Sequence, residues 1–391
     1  SSNIFAKLFP ERLTFENLNC NYPIFSVDPL INERAEKVAL QELISIKRNS
    51  KPCIIHNQVD LRRFKELYLS VFRFACSYLQ ENPPEHIVLF NGRFIEERAF
   101  WDAARLIGIR VKFYETFIDS WIDRYHLFEE PTHSPSYRSK VMLEFGENFL
   151  QKDRSGFYKV ANDFFELRIL GISNKYTVEQ EPSTVFDTTK PIVSFFHSSQ
   201  DELVMVDLLD DFWSSQEMAV LETVKVLSQI GGTHFVLRIH PHLLHKAKEE
   251  VLRWNDFGKA LARQYDWITY IPANSVTNTY DLIKSSKYVI TCASTVGVEA
   301  GYLEKPSILL GRAFHEDMGI TFNPKTASEL KEILKGNLEE IHLSSSKLQA
   351  LKYGAFLSAG GTRFCHVRIN ALSRPKYTLN GASISKSNLV R

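Results

Sequence analysis

The sequence predicts an α/β protein built from two Rossmann-like domains that face each other across a central cleft. Three observations predict it. Strand-like and helix-like segments alternate along most of the chain, the order expected of parallel strands covered by helices. Its 391 residues exceed one ordinary domain and suit two, each able to bury its own core. A polar, turn-rich stretch, EQEPSTVFDTTKP (179–191), separates two such alternating blocks.

In the first block, KPCIIHN (51–57) reads as a strand, FKELYLSVFRFACSYLQ (64–80) as a helix and HIVLFNG (86–92) as a strand. EERAFWDAARLIG (96–108) follows as a helix ending near Gly108, and IRVKFYE (109–115) as the next strand. From 116 to 185 the pattern is less regular. The second block runs IVSFFHS (192–198), a helix over 214–231, HFVLRIHPH (234–242), a helix around 245–264 and WITYIP (267–272). It continues with a helix over 276–286, YVITCAS (288–294), VGVEAGYLE (296–304) and SILLG (307–311). The boundaries expected are therefore 1–185 for the N-terminal domain and 186–345 for the C-terminal one. Residues 346–391 would form a helical segment and tail that packs back on the first domain.

Composition narrows the function. With 47 Lys and Arg against 46 Asp and Glu, no global positive field favours nucleic acid. The five cysteines, Cys20, Cys53, Cys76, Cys292 and Cys365, show neither CxxC nor metal-type spacing, and their odd number argues against a disulfide framework. A reducing, cytoplasmic compartment is expected. No apolar run reaches membrane-span length, and SSNIFAKLFPERL lacks the apolar stretch of a signal peptide. Opening on Ser1 and closing on the polar NGASISKSNLVR, the chain is expected to be a trimmed piece of a longer one.

The segment VITCASTVGVEAGYLEKPSILLG (289–311) passes from strand to helix with almost no turn. Ser294 and Thr295 at that join would sit beside free N–H groups and the positive end of a helix dipole, the ingredients of a phosphate site. Gly297 would admit a ligand or a neighbouring backbone closely, and Glu299 could reach a ribose hydroxyl. Equally, Ser294 could simply cap the helix and Gly297 pack against the sheet. In VLRIHPHL, His240, Pro241 and His242 follow an apolar strand and should lie at the same C-terminal sheet edge, where such folds bind ligands. An imidazole there can donate to a phosphate oxygen or, protonated, neutralise a departing phosphate, while Pro241 stiffens the turn. A surface histidine at a strand end is the plainer reading. A metal role for His240 and His242 would require partners that the spacing does not supply, so no metal is expected.

RIHPH, followed some fifty residues later by YDLIKSSKYVITCASTVGVEAGYLEKPSILLG, resembles the C-terminal domain of bacterial capsule and lipopolysaccharide glycosyltransferases of GT-B architecture. The resemblance is closest to retaining β-Kdo transferases that use CMP-Kdo, and extends to bacterial sialyltransferases. It covers about 190–315, and reaches the N-terminal half only through FNGRFIEERAFWDAARLIGIRVKFYE. It implies that His240 contacts the CMP phosphate, that Ser294 and Thr295 hold it, and that Glu299 lies near the nucleotide. Thr295 stands where some relatives have a second Ser, which keeps the hydroxyl.

SFFHSSQDELVMVDLLDDFWSSQ (194–216) also resembles this group, in which acids follow the first strand of the second domain. A carboxylate there could attack the anomeric carbon or position the acceptor. Asp207, between LVMV and LL, is the choice, with Asp201 second; Asp210 and Asp211 read as a solvated pair. The plainer alternative is an acidic surface loop. For the acceptor, Asn91, Gly92 and Arg93 end a strand with a hydroxyl-binding amide, a tight backbone and a cation. Glu115 closes the next strand as a candidate general acid or base, or as an ordinary exposed glutamate.

The function expected is transfer of Kdo from CMP-Kdo to a glycan or lipid-linked glycan of capsule, lipopolysaccharide or O-antigen, without a metal. That role would bring a peripheral protein to the inner face of the inner membrane, although no amphipathic basic helix stands out. A UDP-sugar, CMP-sialic acid or CDP-polyol donor is the alternative on the same scaffold. A non-catalytic nucleotide-binding scaffold of a polysaccharide assembly complex is the alternative from another class.

Overall fold

The computed structural model describes residues 29–116, 124–171, 189–206, 212–336, 341–363, 377–379 and 382–384. The chain divides into two units. The first holds the described residues up to Lys47, then Lys51–Tyr114 and Leu127–Thr132; the second holds Arg48–Ser50 and the described residues of Glu115–His126 and His133–Arg391.

In the first unit, α1 (Pro29–Lys47) and α2 (Gln58–Glu81) precede β1 (His86–Phe90), α3 (Ile95–Ile107) and β2 (Arg110–Thr116). β1 and β2 pair in parallel, with Leu89 opposite Phe113. Ala35 and Val38 of α1 pack with Tyr68 and Phe72 of α2 and with Ala99 and Ala103 of α3. Helix α3 ends where the sequence predicts, because Gly108 adopts φ 84° and its N–H returns to the carbonyls of Ala104 and Arg105. The predicted strand over 51–57 does not form: the segment is a loop with a 3-10 turn, Ile55–Asn57, and its aliphatic side chains face solvent. An apolar run becomes a strand only beside a pairing partner, and none lies there among the described residues.

After β3 (Arg124–Phe128), the stretch that looked irregular contains two helices, α4 (Pro135–Lys152) and α5 (Arg154–Ile169). Asp153 caps α5 by accepting the Gly156 N–H at 2.9 Å.

The second unit then builds a parallel sheet. Its chain order is β4 (Ile192–Phe196), α6 (Gln200–Met205), α7 (Gln216–Ile230), β5 (His234–Arg238), α8 (Lys248–Gln264) and β6 (Ile268–Ile271). Next come α9 (Thr279–Ser285), β7 (Ser286–Thr291), α10 (Val296–Tyr302), β8 (Ser307–Leu309), α11 (Ala327–Lys335) and α12 (Ile341–Ala359). The strands lie in the order β6-β5-β4-β7-β8, all neighbours parallel.

Every residue of β4 is buried, as a strand with helices on both faces requires. Val193 and Phe195 join Phe235, Leu237, Trp213 and Trp254 on one face. Ile192 and Phe196 join Val236, Val289 and Ala300 on the other.

The division differs from a boundary at 185, and the cause is packing. Phe157 and Ala161 of α5 bury against Leu351 and Ala355 of α12. Phe165 stacks on Tyr302 of α10 with ring centroids 4.2 Å apart. These apolar faces tie α5 to the second sheet's helices, and α12 packs on them within the same unit. The polar stretch chosen as a linker lies mostly outside the described residues.

Gly258 of α8 lies under the ring of Tyr270, where a Cβ would meet Cδ2 and Cε2 at 2.2 Å. The ring is held by its hydroxyl, which donates to Asn255 Oδ1 at 2.5 Å. Gly258→Ala gains about 1 kcal/mol of helix propensity but overpacks the contact by about 1–3 kcal/mol. A net loss is therefore expected, visible as a lower urea midpoint; a midpoint equal to or above wild type would show that the ring moves aside.

Candidate functional site

The order of the strands locates a site in the second unit. The chain runs outward from β4 through β5 to β6, then returns to β7 beside β4 and continues to β8. That reversal makes the C-terminal ends of β4 and β7 a topological switch point, the usual ligand position in open α/β sheets. His197 and Ser198 leave β4 at this point, Ala293, Ser294 and Thr295 leave β7, and His240 leaves the adjacent β5.

His240 is the N-terminal cap of a 3-10 turn, Pro241–His245, and its Nδ1 accepts the His242 N–H at 3.0 Å. Burial first, then the neighbouring His242, Arg238 and Lys246 charges against Glu202, bring its pKa down to about 4. The ring is therefore neutral at pH 7. A neutral imidazole accepting at Nδ1 carries its proton on Nε2. His240 thus offers a hydrogen-bond donor, not a positive charge.

Ser294 follows Ala293, a non-glycine residue in the left-handed region at φ 75°. Its Oγ accepts the Val296 N–H at 3.2 Å, so the hydroxyl caps the turn as the plainer reading held, and keeps its own proton to donate. Thr295, exposed, stands at the helix start and makes no side-chain cap. Gly297 is buried, and a Cβ there would lie 3.2 Å from Ser307 Oγ, 3.3 Å from Thr291 Oγ1 and 3.4 Å from His315 Nε2. Its missing side chain lets α10 approach the sheet.

Glu299 is buried, with Oε1 3.5 Å from Arg168 of α5. Tyr280 lies beside it, its hydroxyl pushed to a higher pKa by burial and then by the Glu299 charge. The carboxylate that the resemblance places near a nucleotide has internal partners here.

Asp201 is also buried and meets Lys246 Nζ at 2.9 Å; Glu202 meets the same amine at 2.8 Å. Asp207, Asp210 and Asp211 lie outside the described residues.

In the first unit, Asn91 is fully buried with φ 30°. Its N–H donates to Tyr114 O at 3.0 Å, its Oδ1 accepts the Arg93 N–H at 3.0 Å, and its carbonyl accepts from Thr132 Oγ1 at 3.1 Å. The Asn91 Nδ2 and the Arg93 Nε are buried without a hydrogen-bond partner among the described residues. Gly92, at φ 77°, turns the chain tightly through a Gly92 N–H to Phe90 carbonyl bond. A Cβ at Gly92 would strike the Phe113 ring at 2.7 Å. Glu115, assigned to the second unit, accepts the Thr116 N–H at 3.2 Å, and its charge opposes the lowering of the Arg138 pKa caused by burial.

Several polar residues at these strand ends escaped the sequence reading. His197 is buried against Trp254, ring centroids 4.2 Å apart, and neither ring nitrogen has a hydrogen-bond partner among the described residues. Ser198 is buried with its Oγ unpartnered among the described residues, its backbone held at both ends by Gln216 at 2.8 Å. Arg238 is buried and donates to Pro272 O at 2.7 Å and Ser275 O at 3.3 Å, fixing the loop beyond β6. Burial lowers its pKa to about 10. Glu97, in the first turn of α3, has a buried Oε2 without a hydrogen-bond partner among the described residues. Burial pushes it up to about 7; its own backbone N–H and Arg93 oppose the rise, while Glu96 and Glu42 add to it. Only knowledge of strand order would have picked out His197 and Ser198, and first-turn acids such as Glu97 read as dipole partners. Among the described residues no group of three or more His, Cys, Asp or Glu is placed to hold a metal ion.

These titrations have opposite signs. His240 and His315, held near 4 against an ordinary 6.5, contribute stability that is complete above pH 6.5 and lost as pH falls toward 4, because the unfolded chain takes up their protons first. Glu97 contributes stability that is complete below 4.5 and lost as pH rises through about 7. His240→Gln is expected to flatten the fall in stability between pH 6.5 and 4.5 by up to about 1.4 kcal/mol per pH unit, one proton's worth. Urea midpoints across that range check it; an unchanged slope would mean that His240 is already protonated in the folded state.

Residues 229–355 match the model of a family described as capsule polysaccharide biosynthesis protein, in line with the resemblance read from RIHPH and the Ser-Thr turn. No curated protein matches the chain in sequence. Among solved structures, the chain is similar to the Thermosulfurimonas dismutans KpsC β-Kdo 2,4 transferase at 13% identity, covering 78% of this chain and 86% of that one with a TM-score of 0.42. The β-Kdo 2,7 transferase of the same KpsC matches at 16% identity over 81% and 86%, TM-score 0.43. The Neisseria meningitidis UDP-GlcNAc 2-epimerase bound to UDP-GlcNAc matches at 12% identity over 74% and 78%, TM-score 0.36.

Proposed function

We propose that this chain is a glycosyltransferase of capsule or other surface polysaccharide biosynthesis, transferring Kdo from CMP-Kdo to a glycan acceptor. The observation that carries the reading is the fixed tautomer of His240. Its Nδ1 is held by the His242 N–H, which leaves Nε2–H as a directed donor at the edge of the switch strand pair. The match to the capsule biosynthesis family over 229–355 gives that donor a substrate class. Nε2–H of His240 and the hydroxyls of Ser294 and Thr295 would hold the donor phosphate. Hydrogen-bond donors fixed in place stabilise charge developing on a leaving phosphate without reorganising, so the proposed chemistry needs no metal.

A carboxylate beyond β4 would attack the anomeric carbon, with retention through a glycosyl-enzyme intermediate. Asp207 takes this role in the proposal; Asp201, the alternative, has its carboxylate engaged by Lys246 at 2.9 Å. Asn91, Gly92 and Arg93 would bind the acceptor. Its hydroxyl would lose a proton to Glu115, or to Glu97, whose pKa of about 7 suits proton transfer near neutrality. Glu299, with internal partners, would support the turn.

CMP should raise the thermal midpoint more than UDP or GDP, since at equal concentration the ligand bound more tightly stabilises the fold more. Equal or greater protection by UDP would favour a UDP-sugar donor, and protection without CMP release from CMP-Kdo and acceptor would favour a binding scaffold.

His240→Ala should lower turnover by about two to three orders of magnitude, the usual loss for one such donor. The urea midpoint should stay near wild type. Near-normal turnover in that variant would remove His240 from the mechanism.

A further inference from the structure

The connection between α1 and α2 carries a surface that the proposed chemistry does not use. The two helices form an antiparallel hairpin, tied at this end by Lys47 Nζ to Asp60 at 3.4 Å. The turn itself is ordered: the Asn57 N–H donates to Ile54 O at 3.1 Å and its Nδ2 to Cys53 O at 2.8 Å. Yet this rigid tip presents aliphatic side chains to solvent, with Ile54 47%, Ile55 76% and Val59 62% exposed. A turn held this way cannot tuck them inside.

Basic residues flank the tip. Lys51 is exposed, and Val59, Arg62 and Arg63 fall on one face of α2 at spacings of three and four. Neither Arg62 nor Arg63 forms an ion pair among the described residues. Lys47 is taken up by Asp60, the single acid of residues 51–63, which leaves Arg62 and Arg63 as exposed cations of this end; Glu66 lies one turn further along α2. Among the described residues no helix is long and apolar enough to cross a membrane.

We propose that this tip docks the protein on an anionic lipid bilayer, with Ile54, Ile55 and Val59 entering the headgroup and acyl boundary and Arg62 and Arg63 meeting lipid phosphates. An aliphatic tip rimmed by cations is what interfacial anchoring requires, because apolar burial and attraction to anionic headgroups then act together. Other occupants fit worse. A second copy meeting this face about a two-fold axis would bring like charges together, and the cores of protein interfaces are depleted of charge. Nucleic acid would be held through its phosphates, and the aliphatic side chains at the centre of this tip offer it nothing. The inference stands apart from the identity of the sugar donor, since it concerns a different surface and is read without nucleotide.

The test is co-sedimentation of the full chain with phosphatidylcholine vesicles and with vesicles of equal parts phosphatidylcholine and phosphatidylglycerol, at low and high salt. Binding to the anionic vesicles should exceed binding to the neutral ones by about tenfold or more and weaken with salt. The double variants Ile54→Ser/Ile55→Ser and Arg62→Gln/Arg63→Gln should each lower it about tenfold, at unchanged urea midpoints. Equal binding to neutral vesicles, no binding, or undiminished binding by both variants would overturn the proposal. So would a wild-type dimer that Ile54→Ser/Ile55→Ser converts to monomer, which would assign the face to a second copy.

Discussion

Burial of β4 on both faces is the constraint on which the second unit depends. A strand so enclosed has no side available to a ligand; polar chemistry can reach it only at its end. Because the chain leaves β4 in one direction and returns on the other side at β7, that end also faces a gap between diverging connections. The residues gathered there come from distant parts of the sequence: His197 and Ser198, His240, and the Ser294–Thr295 turn. Burial of their surroundings then sets their chemistry. It keeps His240 neutral, and the short 3-10 turn begun by Pro241 selects which nitrogen holds the proton.

Strain is placed at the same kind of position in both units. Asn91 after β1 and Ala293 after β7 have positive φ without being glycine. For an L-residue this costs on the order of 1–2 kcal/mol, so the surrounding bonds must hold it. At Asn91 the holders are visible: the Tyr114 carbonyl, the Thr132 hydroxyl and the Arg93 N–H. At Ala293 they are the Val296 N–H bond to Ser294 and the close seating of Gly297. Strained strand ends of this sort are found where backbone must be presented to a ligand.

The sequence displayed whatever depends on local pattern. The alternating strands and helices of the second unit could be read because each strand is a short apolar run and each helix has its own start or stop, such as Ser215 bonding to the Met218 N–H. The apolar run at 51–57 misled because a strand needs a neighbour, which pattern alone does not reveal. Glu299 read as a ligand-facing acid because its partner, Arg168, lies in a helix more than a hundred residues away. The same distance hid the allegiance of α5, whose Phe165 finds Tyr302 only in the folded chain. His240 and Ser294 could be placed at the sheet's C-terminal edge because each lies within three residues of its strand's end. Asp201 was legible as an acid near a strand end, but its partner Lys246 was not.

The charges that burial leaves in place explain the character of this edge. Lys246 is occupied by Asp201 and Glu202, and Arg168 lies opposite Glu299. Breaking either buried pair would leave an uncompensated charge, which is costly, so these cations are poorly suited to leave their partners for an incoming phosphate. The polar groups left at this edge are directional rather than charged: the Nε2–H of a neutral imidazole at His240, the His197 ring and the hydroxyls of Ser198, Ser294 and Thr295. Recognition by fixed donors rewards correct placement more than net charge, and placement is what the buried pairs secure. Asp201 with Lys246 anchors the start of α6 to the loop after β5, and Glu299 anchors α10 to α5. Asp201 and Glu299, which read as ligand contacts in the sequence, are in the fold the internal partners of Lys246 and Arg168.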